Sequence, residues 1–286
     1  MSHSSPESCS SRRQSKVSRG KSPPYFPPIN LTSHLAHQAL FLPEASDYIA
    51  GSAAETISLA QSVATSPFVL GLQKAAAINK LAINVGIHEP AEGGKRVKNT
   101  VIWIDDTGQI TERYQKLHLF DVDIEGGPVL KESHSVEPGS TVARPFETAI
   151  GTVGLLICFD LRFPTLSTRI RDLGAQVLTF PSAFTVPTGA AHWEVLLRAR
   201  AIESQSYVLA AAQVGNHSEK RASYGHSLIV DPWGQVVAEG SGTESWEQSG
   251  RQPELVVGEV DLERVKKVRK EMPLKPRTDV LEIVER

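Results

Sequence analysis

Cysteine is scarce in this sequence: only Cys9 and Cys158 occur among its 286 residues. Two cysteines so far apart form neither a disulfide framework nor a zinc site. A chain with two unpaired thiols is typical of a reducing, intracellular setting. The nine histidines are scattered without ligand spacing, so we expect no metal and no other cofactor.

Charge of one sign is not in excess, since 30 Lys and Arg stand against 32 Asp and Glu, for a net charge of −2. Such a balance gives no electrostatic basis for binding nucleic acid or an anionic membrane surface. No apolar run approaches the roughly 18 residues that span a bilayer. We therefore expect neither nucleic acid nor a membrane as a partner.

The first 29 residues differ in composition from the rest. They are rich in Ser, Arg, Lys and Pro and contain a single acidic residue, Glu7. Such a segment cannot offset the entropy of ordering, so we predict a disordered segment over 1–29 and a folded domain over 30–286. Its Ser and Arg bias is a feature of transit peptides, but the periodicity of an amphipathic helix is missing. We expect a cytoplasmic location, with a mitochondrial one as the alternative.

Strand and helix signals alternate from about residue 38. Apolar runs predict strands in ALFLPEASDY, AINVGIHEP, the hairpin NTVIWIDDTGQITERYQKLHLF, GTVGLLIC, AQVLTFPSAF, YVLAAAQVG, YGHSLIVDPWGQVVAEG and ELVVGEV. Helical periodicity predicts helices near 53–64, 68–80, 163–174, 191–206 and 261–271. Helices interleaved with apolar strands indicate an α/β architecture in which helices cover the sheet.

Cys158 stands in LLICFDLRFP, where an apolar strand ends and a helix starts at Pro164. Taken alone, a cysteine at such a place is most often a small buried core residue. A turn from strand to helix also lifts a side chain clear of the sheet, as in hydrolase nucleophile elbows. Asp160 and Arg162 flank this turn. We predict an ion pair between them that fixes the turn, and Arg162 is also a candidate for binding a substrate carboxylate.

Two more ionisable residues follow predicted strands: Glu44 in FLPE and Lys116 in YQKLHLF. By itself, an acid or a lysine at a strand end is usually solvated. The segment 182–184 also follows a predicted strand, where pockets of α/β folds gather, so it is a candidate for lining a site.

The stretches FLPEASDY, YQKLHLFD and LLICFDLRFP, in that order, resemble the nitrilase (carbon–nitrogen hydrolase) superfamily, whose hallmark is a Glu-Lys-Cys triad. The resemblance runs from about residue 38 to the C-terminus and includes FPSAF, HWEVLLRARAIES and YGHSLIVDPWG. It is tightest to the deaminated glutathione amidase branch. True nitrilases usually carry a tryptophan and a glutamate after the cysteine, whereas CFDLRFP is similar to an amidase.

The resemblance implies a role for each matching residue. Glu44 is expected to act as general base and Cys158 as nucleophile. Lys116 and the backbone N–H of Phe159 are expected to stabilise an oxyanion. Glu132, in LKESHSVEPG, matches a second glutamate of the family that positions the lysine and the substrate. The candidates for substrate binding are Arg162, Ser182, Ala183, Phe184, His192 and Tyr224.

The family's fold is a four-layer αββα sandwich, and its members are homodimers, so we expect both here. One departure concerns the fold. Relatives begin with a strand and a long helix before the glutamate motif, whereas here a low-complexity segment and INLTSHLAHQ occupy that place. We therefore expect a sandwich that lacks its first strand and part of its first helix.

The function that the resemblance implies is hydrolysis of a linear amide, a small-molecule substrate, through a cysteine thioester. The expected substrate is deaminated glutathione, cut to 2-oxoglutarate and cysteinylglycine in metabolite repair. An ω-amidase acting on 2-oxoglutaramate is the nearest alternative. A catalytically impaired binding or scaffold protein is a third reading, because the altered N-terminus could displace Glu44.

Overall fold

The structure is a computed structural model that describes residues 38–123, 129–219, 221–275 and 277. The segment 1–29 that is predicted to be disordered lies outside these residues. The folded domain predicted over 30–286 is described from residue 38 on, and the described residues belong to one compact unit.

The described residues contain strands, helices and short 3₁₀ turns, in the following places. The strands are β1 (Ala39–Phe41), β2 (Ala82–Pro90), β3 (Val97–Ile104), β4 (Ile110–Gln115), β5 (Asp121–Asp123), β6 (Val129–Lys131), β7 (Val136–Glu137), β8 (Phe146–Thr148), β9 (Gly151–Leu155), β10 (Val177–Thr179), β11 (Tyr207–Ala210), β12 (Val214–Ser218), β13 (Arg221–Tyr224), β14 (Leu228–Val230) and β15 (Val236–Glu239). The helices are α1 (Ala53–Leu59), α2 (Pro67–Asn79), α3 (Pro164–Asp172), α4 (Val186–Ser204), α5 (Thr243–Gln248) and α6 (Leu262–Glu271). The 3₁₀ turns are Glu92–Gly94, Glu132–His134 and Cys158–Arg162.

The first sheet has the order β1-β2-β3-β4, and β7 pairs with the start of β3. β1 runs parallel to β2, whereas β2, β3 and β4 form an antiparallel meander. Side chains alternate between the faces of a strand. In β3, Val101 and Trp103 therefore belong to the core between the sheets, whereas Ile102 and Ile104 pack in the smaller core with α2.

The second sheet has the order β15-β14-β11-β10-β9-β8. β9, β10 and β11 are parallel neighbours, so their carboxyl ends share one edge. Ile170 of α3 and Trp193 of α4 are buried in the same core as these strands. The ring centroids of Trp103 in β3 and Phe146 in β8 lie 5.3 Å apart, with the rings in edge contact. This contact joins the facing surfaces of the two sheets. Helices on the outer faces complete the predicted αββα layering.

One predicted strand is wrong. Residues 254–260, ELVVGEV, pair with no strand in the part of the chain that the structure describes. A strand forms only beside a neighbour that pairs with its backbone N–H and C=O groups. Among the described strands, β1 is at the edge of the first sheet and pairs only with β2. Leu255 and Val257 are accordingly about half exposed. The expected absence of a first strand concerns residues before 38, which lie outside the described residues, so it stays a prediction.

Other differences are smaller. α4 begins at Val186 rather than at 191, because Pro187 is compatible with the first turn of a helix. The hairpin of β5 and β6 and the short helix α5 had no clear sequence signal. None of the helices in the described ranges is long and apolar enough to cross a membrane.

We predict that Gly154→Ala lowers the free energy of unfolding by about 1–3 kcal/mol, the usual cost of overpacking a core. The reason is that a Cβ added to Gly154 would lie 2.2 Å from Cγ2 of Ile170. Gly71→Ala in α2 is the matched control, because no atom lies within 4 Å of its added Cβ, and it should stabilise by up to about 1 kcal/mol. Urea unfolding measures both, and equal stabilities of Gly154→Ala and the parent would contradict this packing.

Candidate active site

The turn that carries Cys158 is the first part of the site. β9 ends at Leu155, and the 3₁₀ turn Cys158–Arg162 leads into α3. Cys158 has a φ of 45°, in the left-handed region that is strained for a residue with a Cβ. Its backbone N–H donates to the carbonyl of Pro181 at 3.0 Å, which ties the turn to the chain after β10. The thiol is thereby held at the carboxyl edge of the parallel strands and is nearly buried.

Glu44 reaches the same place from the first sheet. After β1 the chain crosses β2 at Gly86, where an added Cβ would lie 2.6 Å from the Cα of Glu44. Only glycine permits so close a crossing. The side-chain amide of Gln213 donates to the carbonyl oxygens of Glu44 and Ala45 at 2.9 and 3.2 Å. The Glu44 loop is therefore held between β2 and the chain that follows β11.

Lys116 follows β4 directly and is only 2% exposed. Its Nζ donates to Oε1 of Glu44 at 2.9 Å and to Oε2 and Oε1 of Glu132 at 2.9 and 3.1 Å. Asn99 Nδ2 donates to both carboxylates, at 2.8 and 3.0 Å. The backbone N–H of Phe120 donates to Oε2 of Glu132 at 2.7 Å. The buried ammonium thus has the paired and hydrogen-bonded surroundings that a buried charge requires.

Burial and charge set the protonation states of these groups. Burial alone would raise the pKa of Glu44, but the charge and hydrogen bond of Lys116 outweigh it, and this pKa lies below its ordinary value. Burial would lower the pKa of Lys116, but Glu132 and Glu44 hold it well above its ordinary value. Burial and the charge of Glu44 raise the pKa of the Cys158 thiol, against the opposing effect of Lys116 and the N–H of Ala183. The resting site therefore contains an ionised Glu44, a charged Lys116 and a neutral thiol.

This arrangement has the parts of a nucleophilic site. The carboxylate of Glu44 acts on the thiol of Cys158 at close range and can accept its proton, and Lys116 supplies a cation for negative charge that develops nearby. Among the described residues, no group of three or more His, Cys, Asp or Glu side chains is arranged to hold a metal ion.

The ion pair predicted between Asp160 and Arg162 is wrong. The carboxylate of Asp160 is fully buried and accepts the hydroxyl of Tyr114 at 2.7 Å, and it lies 2.7 Å from Nδ1 of His118. Asp160 is therefore bonded to the segment that contains Lys116, and Arg162 makes its contacts with other residues. Sequence reasoning missed these partners, although Tyr114 and His118 flank Lys116 at two residues on either side.

Arg162 lies beside the thiol, together with several predicted substrate-binding residues. Its Nη2 is 3.1 Å from Nδ1 of His192. Its guanidinium stands 5.6 Å from the ring centre of Phe159 and 5.7 Å from that of Phe184. Burial lowers the pKa of Arg162. These residues form one wall of the site.

The remaining candidates for substrate binding, Ser182, Ala183 and Tyr224, make different contacts. The hydroxyl of Ser182 is buried and donates to the carbonyl of residue 180 at 2.9 Å, so this side chain supports the end of β10. The backbone of Ala183 lies close to the sulfur of Cys158 and acts to lower the pKa of the thiol. The backbone N–H of Tyr224 donates to the carbonyl of Phe184 at 2.9 Å, which places Tyr224 next to the wall.

Comparison with known proteins gives this geometry a family. The family model of the Carbon-nitrogen hydrolases matches residues 31–270. The chain belongs to this family. The superfamily resemblance drawn from the three motifs is therefore confirmed.

Relatives and a solved structure agree. Probable hydrolase nit2 of Schizosaccharomyces pombe is 46% identical over 244 residues, which cover 85% of this chain and 86% of that protein. Deaminated glutathione amidase of Mus musculus is 44% identical over 237 residues, 82% of this chain and 71% of that protein. The crystal structure of the NitFhit protein of C. elegans matches with a TM-score of 0.78 and 41% identity, over 86% of this chain and 58% of that longer chain. The nitrilase-type fold is confirmed as well.

The substitution Glu44→Gln removes the negative charge of this carboxylate and keeps nearly the same side-chain shape. Because the charge of Glu44 raises the pKa of Cys158 and that of Lys116 lowers it, we predict that the variant's thiol is more acidic than the parent's. Iodoacetamide should then alkylate Cys158 faster at pH 7, since each unit of pKa gives about tenfold more thiolate. Mass spectrometry in a Cys9→Ser background measures the rate.

Glu92→Gln, on an exposed 3₁₀ turn, is the matched control and should react as the parent does. Slower alkylation of the Glu44→Gln variant than of the parent would contradict the charges assigned to the site.

Proposed function

We propose that the protein is an amidase that hydrolyses a linear amide through a thioester on Cys158. The observation that carries this proposal is the position of Lys116. Its ammonium is held by Glu44 and Glu132, and its charge acts on the thiol of Cys158, on which the Glu44 carboxylate also acts. A base, a nucleophile and a cation therefore share one buried cluster, as acyl transfer requires.

In the first half-reaction, the sulfur of Cys158 attacks the amide carbonyl carbon while its proton passes to Glu44. The carbonyl oxygen becomes an oxyanion, to which Lys116 and the N–H of Phe159 donate. One such donor is typically worth about 3–4 kcal/mol of barrier. The tetrahedral adduct then expels the amine, which takes the proton from Glu44, and a thioester remains on Cys158.

In the second half-reaction, a water molecule attacks the thioester after the amine has left. Glu44 accepts the proton of this water, and the second oxyanion is stabilised by the same donors. Collapse breaks the C–S bond and releases a carboxylic acid, and Glu44 returns its proton to the sulfur, which regenerates the thiol of Cys158. Glu132 holds Lys116 in place in both steps, with its two carboxylate oxygens at 2.9 and 3.1 Å from Nζ.

We propose deaminated glutathione as the substrate, cut to 2-oxoglutarate and cysteinylglycine in metabolite repair. A relative with the name deaminated glutathione amidase is 44% identical to this chain. The guanidinium of Arg162, beside His192 and close to the thiol, suits the carboxylate of the 2-oxo acid half. Phe184 and Tyr224 complete the wall on this side.

An ω-amidase acting on 2-oxoglutaramate is the second candidate. This molecule carries the same 2-oxoglutaryl group, so the Arg162 contact serves it equally well. The two substrates differ only in the leaving group, which is ammonia in one and cysteinylglycine in the other. The decision therefore depends on the part of the site that receives the leaving group.

We also propose that the protein is a cytoplasmic homodimer. Val195 and Ile202 of α4 and Trp233 of the β14–β15 turn are 68%, 42% and 57% exposed. Gly234 of this turn packs on Ile202, so the turn and α4 share one apolar surface patch. Apolar patches on a protein surface commonly mark an interface. A sequence with only two, widely separated cysteines has no disulfide framework, which favours a reducing compartment.

The test is release of 2-oxoglutarate from deaminated glutathione, with 2-oxoglutaramate measured in parallel. We expect a higher kcat/KM for deaminated glutathione and a loss of about a thousandfold or more in Cys158→Ala, because no other group replaces the nucleophile. Cys9→Ser is the matched control. It removes the other thiol, outside the described residues, and should leave turnover unchanged.

A higher kcat/KM for 2-oxoglutaramate would make the protein an ω-amidase. Absence of turnover with both substrates, in a protein that melts cooperatively, would favour a binding or scaffold role and contradict the proposal.

A further inference from the structure

The carboxylate of Asp160 contacts the chain on both sides of Lys116. On one side, the hydroxyl of Tyr114 donates to Oδ2 at 2.7 Å. On the other side, the backbone N–H of His118 donates to Oδ1 at 3.1 Å, and Nδ1 of the same residue lies 2.7 Å from Oδ1. Asp160 itself is fully buried, two residues after Cys158.

These contacts restrict where Lys116 can lie. Tyr114 precedes it by two residues at the end of β4, so both side chains leave the same face of the chain. His118 follows after a bend. Since both anchors reach one carboxylate, Lys116 cannot shift relative to Asp160 without loss of a hydrogen bond to a buried charge, which is stronger than an ordinary one.

The same carboxylate is fixed within the nucleophile turn. The backbone N–H of Ile157 donates to Oδ2 of Asp160 at 3.1 Å, and the backbone N–H of Phe163 donates to the Asp160 carbonyl at 3.0 Å. The ring of His118 also stacks on that of Phe163, with centroids 3.5 Å apart. Asp160 therefore connects the turn that holds Cys158 with the segment that holds Lys116.

We propose that Asp160 is a positioning residue that sets the distance between the ammonium of Lys116 and the sulfur of Cys158. It acts through Tyr114 and His118 and does not touch the reacting atoms. Its effect on turnover rests on the proposed function. Its effect on the reactivity of the thiol does not, because alkylation needs no substrate.

The ionisation of Cys158 reports this distance. The largest charge effects on the thiol come from Glu44 and Lys116. Of these, Glu44 raises its pKa and Lys116 lowers it. If Lys116 moves away, the pKa of the thiol rises further and alkylation requires a higher pH. A purely structural role of Asp160 would lower the stability of the protein without this change.

The experiment measures iodoacetamide alkylation of Cys158 by mass spectrometry between about pH 6 and 10, in a Cys9→Ser background, together with thermal melts. The variants are Tyr114→Phe and Asp160→Asn. We expect the alkylation profile of each to move to higher pH. At pH 7.5 the rate in Tyr114→Phe should fall by about threefold, which corresponds to roughly half a pKa unit, and the rate in Asp160→Asn should fall further.

Tyr207→Phe is the matched control. Tyr207 is buried, and the backbone of Asp261 lies close to its hydroxyl. It starts β11, whereas Cys158 follows the opposite ends of the parallel strands. This variant should melt at a lower temperature and keep the parent's alkylation profile.

The proposal is wrong if Tyr114→Phe and Asp160→Asn melt earlier but are alkylated with the parent's pH dependence. If Asp160→Asn does not fold, Tyr114→Phe decides alone, because it keeps the carboxylate and removes a single oxygen atom. A failure of the assigned amide substrate leaves these results unaffected.

Discussion

The charge of Lys116 between two carboxylates is the interaction on which the rest of the site depends. Removal of an ammonium from water costs several kcal/mol, and only good geometry with further hydrogen bonds offsets it. Glu44, Glu132 and Asn99 provide that geometry. Loss of one partner of a buried pair typically costs about 3–5 kcal/mol. The same contacts therefore determine both the stability of this region and its reactivity.

The charged cluster also explains why the backbone around it is unusual. Glu44 and Lys116 come from the first sheet and Cys158 from the second, so each chain segment must turn sharply at the place where the sheets meet. Cys158 and Ala45 accordingly have φ values of 45° and 55°, and Gly86 leaves room for the Glu44 loop. Such strain persists only where surrounding contacts fix it. The contacts of Asp160 and Gln213 do so here.

The residues proposed as reactive were singled out by the resemblance of their three motifs to the nitrilase superfamily, since an acid or a lysine at a strand end is by itself usually solvated. Their supporting residues were not. In the sequence, Tyr114 is an ordinary residue of a predicted strand and His118 an ordinary residue of the loop that follows. Their common contact with Asp160 arises from the packing of one sheet on the other. Period-2 patterns report which face a side chain takes and give no information about that packing.

The alternation of helices and strands predicted an α/β architecture, and the family resemblance added the four layers; the error at 254–260 shows the limit of the local pattern. ELVVGEV has the composition and alternation of a strand, but the pairing of a strand is a property of two segments. Local pattern cannot supply the second one. Ser182 shows the same limit of local pattern. The sequence predicted that it follows a strand, but the direction of its hydroxyl depends on a hydrogen bond to a backbone carbonyl two residues away.

The central claim is that Glu44 is ionised and Lys116 charged when the substrate arrives. The pH dependence of kcat/KM for amide hydrolysis tests it most directly, since this profile reports the ionisations of the free enzyme. The pKa of Glu44 is lowered and that of Lys116 is raised, so both groups keep their active forms across neutral pH. The account predicts a flat profile between about pH 6 and 9, with activity lost only below the ordinary range of a glutamate, about 4.3. An acid limb centred near neutral pH would contradict it.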